Sequence, residues 1–374
     1  MSLTLTNSRL TNEYRPDEVS APGETLEEIL EERQMTQTEL AQRLGLAHKT
    51  VNEIIRGKAP LTHETALGLE NVLGIPASFW NTYEMAYREF LTRKEVAERL
   101  SEYRPWLNDL PWKEAVKREW IGQHTSLIDQ ITAILRFFGV ASPEEYKNVY
   151  GSLAVQWKSS ERYPADANAR AFWLRRGEIE AAKLAVKPEL EWNDFDQREF
   201  EQRLREIRSL TCDIEPESFV PKLQRLCAAA GVAVVFVREI DGTRASGVTF
   251  WLSPQRALIQ LSLRYRTNDS LWFAFFHEAG HVLKHSKKRV FLEQKGQEMD
   301  EQEQEANQFA QNALIPPREY MTFKNMGKPT LPSVEAFAER VGVHPGIVVG
   351  RLQTDGVLRH NCFNDLKQLY QWGE

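Results

Sequence analysis

Apolar residues recur at helical spacing along most of this chain, and strand-like patterns are confined to one stretch. The helical spacing predicts short helices from residue 22 to about 90, amphipathic helices between 93 and 210, and further helices after Pro317. Residues 232–240, 247–253 and 256–264 have instead the continuous apolar or alternating composition of strands. We therefore predict an α+β protein that is mostly helical and contains a small antiparallel sheet.

Changes in this pattern divide the chain into five predicted segments. They are a flexible tail (1–21), an all-α domain of short helices (22–92), a helical linker or packing region (93–210), an α+β domain with the sheet (211–328) and a C-terminal helical subdomain (329–374). In the α+β domain the run VAVVFVREI suits a central strand, and residues 247–253 or 256–264 are candidates for an exposed sheet edge. The C-terminal helices resemble a second helix-turn-helix, but their small number of basic residues favours a structural role.

Composition narrows the class of protein. The 374 residues are 42% hydrophobic and 27% charged, enough to bury the cores of two or three domains. Three scattered cysteines indicate a reducing compartment, and the chain has neither a signal peptide pattern nor an 18-residue apolar run. We expect a cytoplasmic protein without a membrane partner. The net charge of -6 argues against indiscriminate nucleic-acid binding but permits a local basic patch.

Residues 36–57 have the layout of a helix-turn-helix. Thr36 can cap a first helix, Gly45 ends it, and a second helix runs from about Ala47 to Arg56. In such motifs the second helix enters the DNA major groove.

Candidate DNA-contacting residues follow from the faces of these two helices. Val51, Ile54 and Ile55 form a buried stripe on the second helix, and the polar residues left outward are His48, Lys49, Asn52 and Arg56. Asn52 could read a base edge, and Gln37 at the start of the first helix could hold a phosphate. Ala47 stands where a Ser or Thr cap is usual. The alternative is a helical domain used for dimerisation or for gripping a protein.

The stretch LWFAFFHEAGHVLKH carries the most specific chemistry. His277 and His281 lie four residues apart, so on a helix their imidazoles project from one face, as two ligands of one metal ion must. Glu278 occupies the position of a general base in His-Glu-x-x-His hydrolases, and zinc is the usual metal. The alternative is a pair of core histidines hydrogen-bonded to their neighbours.

Two histidines leave the metal short of a protein ligand, and a second helix near residues 303–314 supplies candidates. Relative to its apolar face, Glu303 lies at roughly 60° and Glu305 at roughly 100°, so that Glu303 borders the buried side. Glu303 is therefore the expected third ligand, with Glu305 as the fallback. His285, one turn beyond His281, is expected to be exposed or to lie behind the ligands.

Two family resemblances accompany these motifs. MTQTELAQRLGLAHKTVNEIIRGKAPLTHETALGLENVLG with the following ASFW is similar to the Xre/Cro-type helix-turn-helix of the HigA antitoxin family. HEAGH followed by EQEANQFA and LIPP resembles the ImmA/IrrE metallopeptidases over roughly residues 211–320. That resemblance also implies Glu303 as third ligand, a zincin-like fold and a Zn²⁺ ion whose fourth ligand is water.

The resemblances imply a DNA-binding transcriptional regulator fused to a zinc-dependent endopeptidase. Its expected partners are operator DNA, a protein substrate that is either a repressor or the chain itself, or a cognate toxin. The setting would be a response to stress, a toxin-antitoxin system or a mobile element. We expect a homodimer, because helix-turn-helix heads usually read paired half-sites. The alternative is a repressor or antitoxin that binds zinc, operator DNA and a protein partner without hydrolysing anything.

Overall fold

The computed structural model describes residues 19–151, 166–285 and 296–373, which form parts of two compact units. The first unit ends at Glu102 and is called the head; the second begins at Tyr103. Of the predicted flexible tail, residues 1–18 lie outside the described residues. None of the described helices is long and apolar enough to cross a bilayer.

The described part of the head is all-helical, as its sequence predicts. Its helices are Pro22–Glu32 (α1), Gln37–Leu44 (α2), His48–Ile55 (α3), His63–Leu73 (α4) and Ala77–Ser101 (α5). Thr36 caps α2 by accepting a hydrogen bond from the Glu39 amide at 3.1 Å, and Gly45 ends it with a φ of 68°. Ala47 gives α3 no side-chain cap, in agreement with the sequence.

The head has its own hydrophobic core, which fixes α3 on the other helices. Leu40 of α2, Val51 and Ile54 of α3 and the fully buried Trp80 of α5 belong to one core cluster. Gly23 is required at the start of α1, because a Cβ there would overlap the backbone carbonyl groups of Ile54 and Ile55.

The described residues between 103 and 212 are mainly helical and belong to the second unit. Their helices are Arg104–Asn108 (α6), Trp112–Lys117 (α7), Leu127–Phe138 (α8), Pro143–Tyr146 (α9), Ala167–Ala185 (α10) and Gln197–Ser209 (α11), with a π-helical turn at Lys147–Gly151 and a 3₁₀ turn at Leu210–Cys212. The Trp173 indole of α10 donates to the Val237 carbonyl at 2.9 Å, and Gln260 donates to the Trp173 carbonyl at 2.8 Å. The helix α10 therefore packs on the sheet. The predicted domain boundary at residue 210 stays a prediction.

The sheet is mixed, so the prediction of an antiparallel sheet is wrong. Its strands are Val232–Phe236 (β1), Gly247–Ser253 (β2) and Arg256–Leu261 (β3), in the order β1-β3-β2. β2 and β3 form an antiparallel hairpin, whereas β1 and β3 run parallel. The reason is the path of the chain: it passes from β1 to the far edge, and the hairpin then returns β3 to the middle.

The strand predicted to be central is also placed differently. β1 lies at an edge, and it is buried because Pro216–Ala228 (α12) and α10 pack against it. Gln224 of α12 donates to the Val234 carbonyl at 3.1 Å. A continuous apolar run reports burial on both faces, which an edge strand covered by helices shares with a central strand. Of the two candidate edges, β2 is at an edge and β3 is not.

Asn268–Lys284 (α13) and Gly296–Leu314 (α14) pack against each other, and α13 also contacts β2 and β3. Gly280 permits the close approach, because a Cβ there would lie 3.2 Å from the Ala306 Cα. The helices that follow are Pro317–Asn325 (α15), Leu331–Val341 (α16) and Pro345–Thr354 (α17). α17 packs on the start of α13, where Lys367 pairs with Asp269 at 2.7 Å. The C-terminal segment thus braces the helix that carries the His-Glu-x-x-His motif.

Candidate metal centre and DNA-contacting surface

α13 presents its two motif histidines on one face, as their spacing predicts. The apolar run that precedes them is mostly buried in the core, with Phe275 and Phe276 fully inaccessible, and this fixes the rotation of the helix. The Nε2 atoms of His277 and His281 consequently lie 3.0 Å apart.

The third member of the cluster comes from α14. The Glu303 carboxylate has one oxygen 3.4 Å from His277 Nε2 and the other 3.3 Å from His281 Nε2. One ligand atom from each of these three side chains lies within 4.8 Å of the others. Glu305, the fallback, lies instead 3.4 Å from Nε2 of His285. The structure therefore brings Glu303, and not Glu305, to the two motif histidines.

The cluster has the donor set and the dimensions of a tetrahedral zinc site. Zinc binds imidazole nitrogen and carboxylate oxygen at about 2.0–2.2 Å, so ligand atoms in a tetrahedron lie about 3.3–3.5 Å apart. The separations of 3.3 and 3.4 Å between Glu303 and the imidazoles match this value, and the 3.0 Å between the imidazoles is slightly shorter. The residues present therefore fit a zinc ion.

Each histidine of the cluster has a partner on its other nitrogen. Nδ1 of His277 lies 3.0 Å from Oδ1 of Asn307, which can only accept a hydrogen bond. The proton of a neutral His277 therefore lies on Nδ1, and its Nε2 lone pair faces the cluster. Nδ1 of His281 lies 2.8 Å from Nδ1 of His285. Asn307 is one turn beyond Glu303, so its helical spacing was the only available signal for this contact.

Glu278 packs against the start of β2. Its side chain is 7% exposed, and a Cβ at Gly247 would come 2.9 Å from its Oε1. The Thr249 hydroxyl donates to the Glu278 carbonyl at 3.1 Å. Burial raises the pKa of the Glu278 carboxyl above its ordinary value, although the neighbouring imidazoles oppose the shift. A carboxylate with a raised pKa is better able to accept a proton near neutral pH.

The side chains of the cluster shift one another's pKa values. When their Nε2 atoms carry protons, His277 and His281 donate hydrogen bonds to the Glu303 carboxylate, and these hold the pKa of that carboxyl well below its usual range, so Glu303 is ionised at neutral pH. Burial alone would lower the pKa of His277, but its hydrogen bond to Glu303 and the charges of Glu278 and Glu303 outweigh this and raise it. The net effect is a site that attracts a cation, whether a proton or a metal ion.

The outer edge of β2 lies next to Glu278. The Ser262 amide donates to the Ser246 carbonyl, so residues 246, 248 and 250 bond to β3 in the alternating antiparallel pattern. The backbone groups of Gly247 and Thr249 therefore point away from β3, on the side of the sheet where no further described strand lies. These two residues are also the ones next to Glu278.

The predicted DNA-contacting residues lie on α3 and at the start of α2. His48, Lys49 and Arg56 are exposed, whereas the stripe of Val51, Ile54 and Ile55 is buried as predicted. Asn52 is half-buried and donates to Oε1 of Gln37 at 3.2 Å, so the two amides form one polar unit. Contact of these residues with DNA stays a prediction.

Comparison with known proteins finds two family matches, one in each unit of the chain. The helix-turn-helix family matches residues 26–80, and the IrrE N-terminal-like domain family of peptidases matches residues 229–353. Over 66 residues the chain is 32% identical to an uncharacterized HTH-type transcriptional regulator, YddM, of Escherichia coli K12, covering 18% of this chain and 70% of that protein. This chain belongs to the helix-turn-helix transcriptional regulators. The same regulator carries an IrrE-like domain with a metallopeptidase-like fold, which contains the candidate metal site.

Two solved structures are similar to part of this regulator, each over 22% of the chain. One is a putative antidote protein of a plasmid maintenance system from Nostoc punctiforme, with 23% identity, 91% of that chain covered and a TM-score of 0.22. The other is an addiction module antidote protein of the HigA family from Coxiella burnetii, with 28% identity, 92% covered and a TM-score of 0.21.

Proposed function

We propose that this regulator is a zinc-dependent endopeptidase as well as a DNA-binding protein, and that it cleaves itself or a partner repressor. The observation that carries the proposal is the convergence of His277, His281 and Glu303 beside the buried carboxylate of Glu278. A site that only bound metal would not need a carboxylate held in this position.

His277, His281 and Glu303 would hold the zinc ion. When bound, zinc supplies Lewis-acid chemistry: it polarises the scissile carbonyl and makes water more acidic. Asn307 keeps the proton of His277 on Nδ1 and so leaves Nε2 free to bind the metal.

Glu278 is the proposed general base. It would take a proton from the attacking water as the new C–O bond forms at the peptide carbonyl. It would then give that proton to the leaving nitrogen as the C–N bond breaks, which balances the hydrolysis. Its raised pKa suits both transfers.

The substrate would bind as an extended segment along β2. The outward backbone groups of Gly247 and Thr249 can hydrogen-bond to such a segment and hold its carbonyl above Glu278. Main-chain hydrogen bonds do not depend on the side chains of the substrate, so this binding mode accepts many sequences. Specificity would then come from side-chain pockets or from tethering of the substrate to the enzyme.

The head would bring the enzyme to operator DNA. Lys49 of α3 and Arg56, which follows its last residue, are exposed cations that can contact phosphate. The Gln37–Asn52 pair can hold a base edge or a phosphate. A homodimer would bind two half-sites. A DNA-bound chain is then close to any repressor on the same operator, or to its own partner subunit, and these are the proposed substrates. A cognate toxin bound by the head is a further proposed partner.

The test is cleavage by the full chain with its zinc. Purified protein, alone and after co-expression with a candidate repressor substrate, is followed by mass spectrometry of the fragments. Glu278→Gln should keep its zinc and lose cleavage by about 10²–10⁴-fold, the usual share of a general base. Glu335→Gln, at an exposed position of α16, is the matched control and should cleave normally. Cleavage at the wild-type rate by the Glu278→Gln chain would rule out this mechanism.

A second candidate function is a zinc-binding repressor or antitoxin that hydrolyses nothing. It is favoured by the head, whose exposed cations suffice for DNA binding without an enzyme. In this case zinc removal should change the affinity for operator DNA or for a partner, and no fragment should form under any condition. The two functions are separated by measuring operator affinity and fragments in the same samples.

A further inference from the structure

His285 lies at the end of α13, one turn beyond His281, and its contacts are unlike those of a surface histidine. Its Nδ1 faces Nδ1 of His281 at 2.8 Å, and its Nε2 lies 3.4 Å from a carboxylate oxygen of Glu305. Its side chain is only 11% exposed, whereas that of Glu305 is 65% exposed. The three groups form a chain that leads from solvent to the metal cluster.

The backbone holds this arrangement in place. The His285 amide donates to the His281 carbonyl at 3.2 Å, so the last turn of α13 is closed. The backbone of His285 is then extended, with φ −107° and ψ 160°. The helix ends at this residue, whose imidazole lies 4.9 Å from that of His281.

Hydrogen-bond chemistry assigns the protons along the chain. Two imidazole nitrogens 2.8 Å apart attract each other only if one carries a proton and the other does not. If Nε2 of His281 offers its lone pair to a cation, the proton of its neutral ring lies on Nδ1. Nδ1 of His281 then donates a hydrogen bond, which Nδ1 of His285 accepts. The proton of His285 then lies on its Nε2, directed at Glu305.

We propose that His285 is a positioning residue, which accepts a hydrogen bond from His281 and so directs the Nε2 lone pair of His281 at the metal, and that Glu305 orients His285. This inference rests on the metal site of the proposed function but not on peptidase activity. It gives Glu305 a role other than that of a ligand. The two ligand histidines are then oriented by different means, His277 by the Asn307 amide and His281 by an imidazole–carboxylate pair.

Zinc affinity of the full chain tests this role independently of cleavage. The dissociation constant is measured by competition with a chelator, and the ligand field by the visible spectrum of the Co²⁺-substituted protein. His285→Leu removes the acceptor and should weaken zinc binding by about 10–100-fold and change the cobalt spectrum. His285→Asn places an amide oxygen near the original Nδ1 and should restore the affinity to within about threefold of wild type.

Two further variants sharpen the result. Glu305→Gln keeps a hydrogen-bond acceptor but removes the charge, so the loss of affinity should be smaller than for His285→Leu. His360→Leu replaces an exposed histidine of the same unit and should leave both the affinity and the spectrum unchanged. Thermal melting of each variant checks that it is folded.

The possible results are distinguishable. Wild-type zinc affinity and an unchanged cobalt spectrum in His285→Leu would overturn the positioning role. Equal losses in folded His285→Leu and His285→Asn would overturn the acceptor role. If His285→Leu does not fold, His285→Asn and Glu305→Gln decide the question. Full zinc affinity in His285→Asn together with a partial loss in Glu305→Gln supports the positioning role. Any other combination of results overturns it. A wild-type chain that binds no zinc overturns the metal site itself.

Discussion

The head and the IrrE-like domain place their functional candidates in opposite ways. In the head, Lys49 of α3 and Arg56 at its C-terminal end are exposed, and the buried residues Val51, Ile54 and Ile55 of the same helix face the core. In the IrrE-like domain the candidate ligands come from two helices, and His277 is 15% and His281 20% exposed. Binding to DNA can therefore be altered one residue at a time, whereas the metal site depends on how α13 and α14 pack.

The two regions should therefore respond differently to substitutions. A charged residue on the surface of α3 would contribute to DNA binding through phosphate contacts, and such contacts add roughly independently. The members of the metal cluster share partners, and removing one changes the protonation and position of the others. Each substitution in the head should weaken DNA binding by a partial amount. A substitution in the cluster should remove nearly all metal binding.

The largest expected effects come from a matched pair of glycine substitutions, one in each region. Gly23→Ala should destabilise the head by about 1–3 kcal/mol or more, because its Cβ meets backbone carbonyls that cannot move without shifting α3. Gly247→Ala meets the Glu278 side chain instead, which can move. It should keep the fold and the zinc but lower cleavage by about 10²-fold.

Thermal melting, operator binding and cleavage are measured on both glycine variants. The comparison fails if Gly23→Ala leaves the melting of the head unchanged. It also fails if Gly247→Ala cleaves at the wild-type rate, since Glu278 would then tolerate displacement.

A smaller effect is expected from the cations of α3. Lys49→Ala and Arg56→Ala should each weaken operator binding by about three- to tenfold and reduce the salt dependence by about one phosphate contact. Zinc content and cleavage of an unrelated peptide should stay unchanged. Lys94→Ala, on the exposed surface of α5, is the matched control. Fluorescence anisotropy at several salt concentrations measures the slope, and an unchanged slope would remove α3 from the DNA interface.

The smallest effect concerns the stability cost of Glu278. Its pKa is raised in the folded protein, so the folded state holds this proton more tightly than the unfolded state. Stability is therefore lost as the pH rises above the unfolded value of about 4.3. In zinc-free protein at pH 7, Glu278→Gln should raise Tm by about 2–4 °C for each kcal/mol by which the charged carboxylate destabilises the folded protein.

This gain should vanish below about pH 4, where the carboxyl is protonated in both states. Calorimetry at the two pH values gives the difference, with Glu335→Gln as the reference. A gain that persists in acid would have a cause other than the charge.

Most of the head could be predicted from the sequence because its information is local. Helical spacing gave the buried stripe of α3, and Thr36 and Gly45 gave the ends of α2. In the IrrE-like domain the spacing of His277 and His281 was equally local, and the angle of Glu303 on its helix distinguished it from Glu305. These inferences needed only the period of one helix.

The rest depended on contacts between distant segments, which periodicity does not contain. The parallel pairing of β1 with β3 follows from the path of the chain, and the apolar run of β1 could not distinguish an edge covered by helices from a central strand. The packing of Trp173 on the strand end at Val237 joins residues 64 positions apart. The close fit of Gly247 against Glu278 was hidden for the same reason.

The most direct test of the central claim is the zinc content of the full chain at saturating zinc, measured by mass spectrometry under native conditions. We predict one zinc ion per wild-type chain, loss of that ion in Glu303→Ala, and full occupancy in Glu305→Ala, because only Glu303 reaches both imidazoles. A wild-type chain without zinc, or a Glu303→Ala chain that keeps its zinc while Glu305→Ala loses it, would contradict the account.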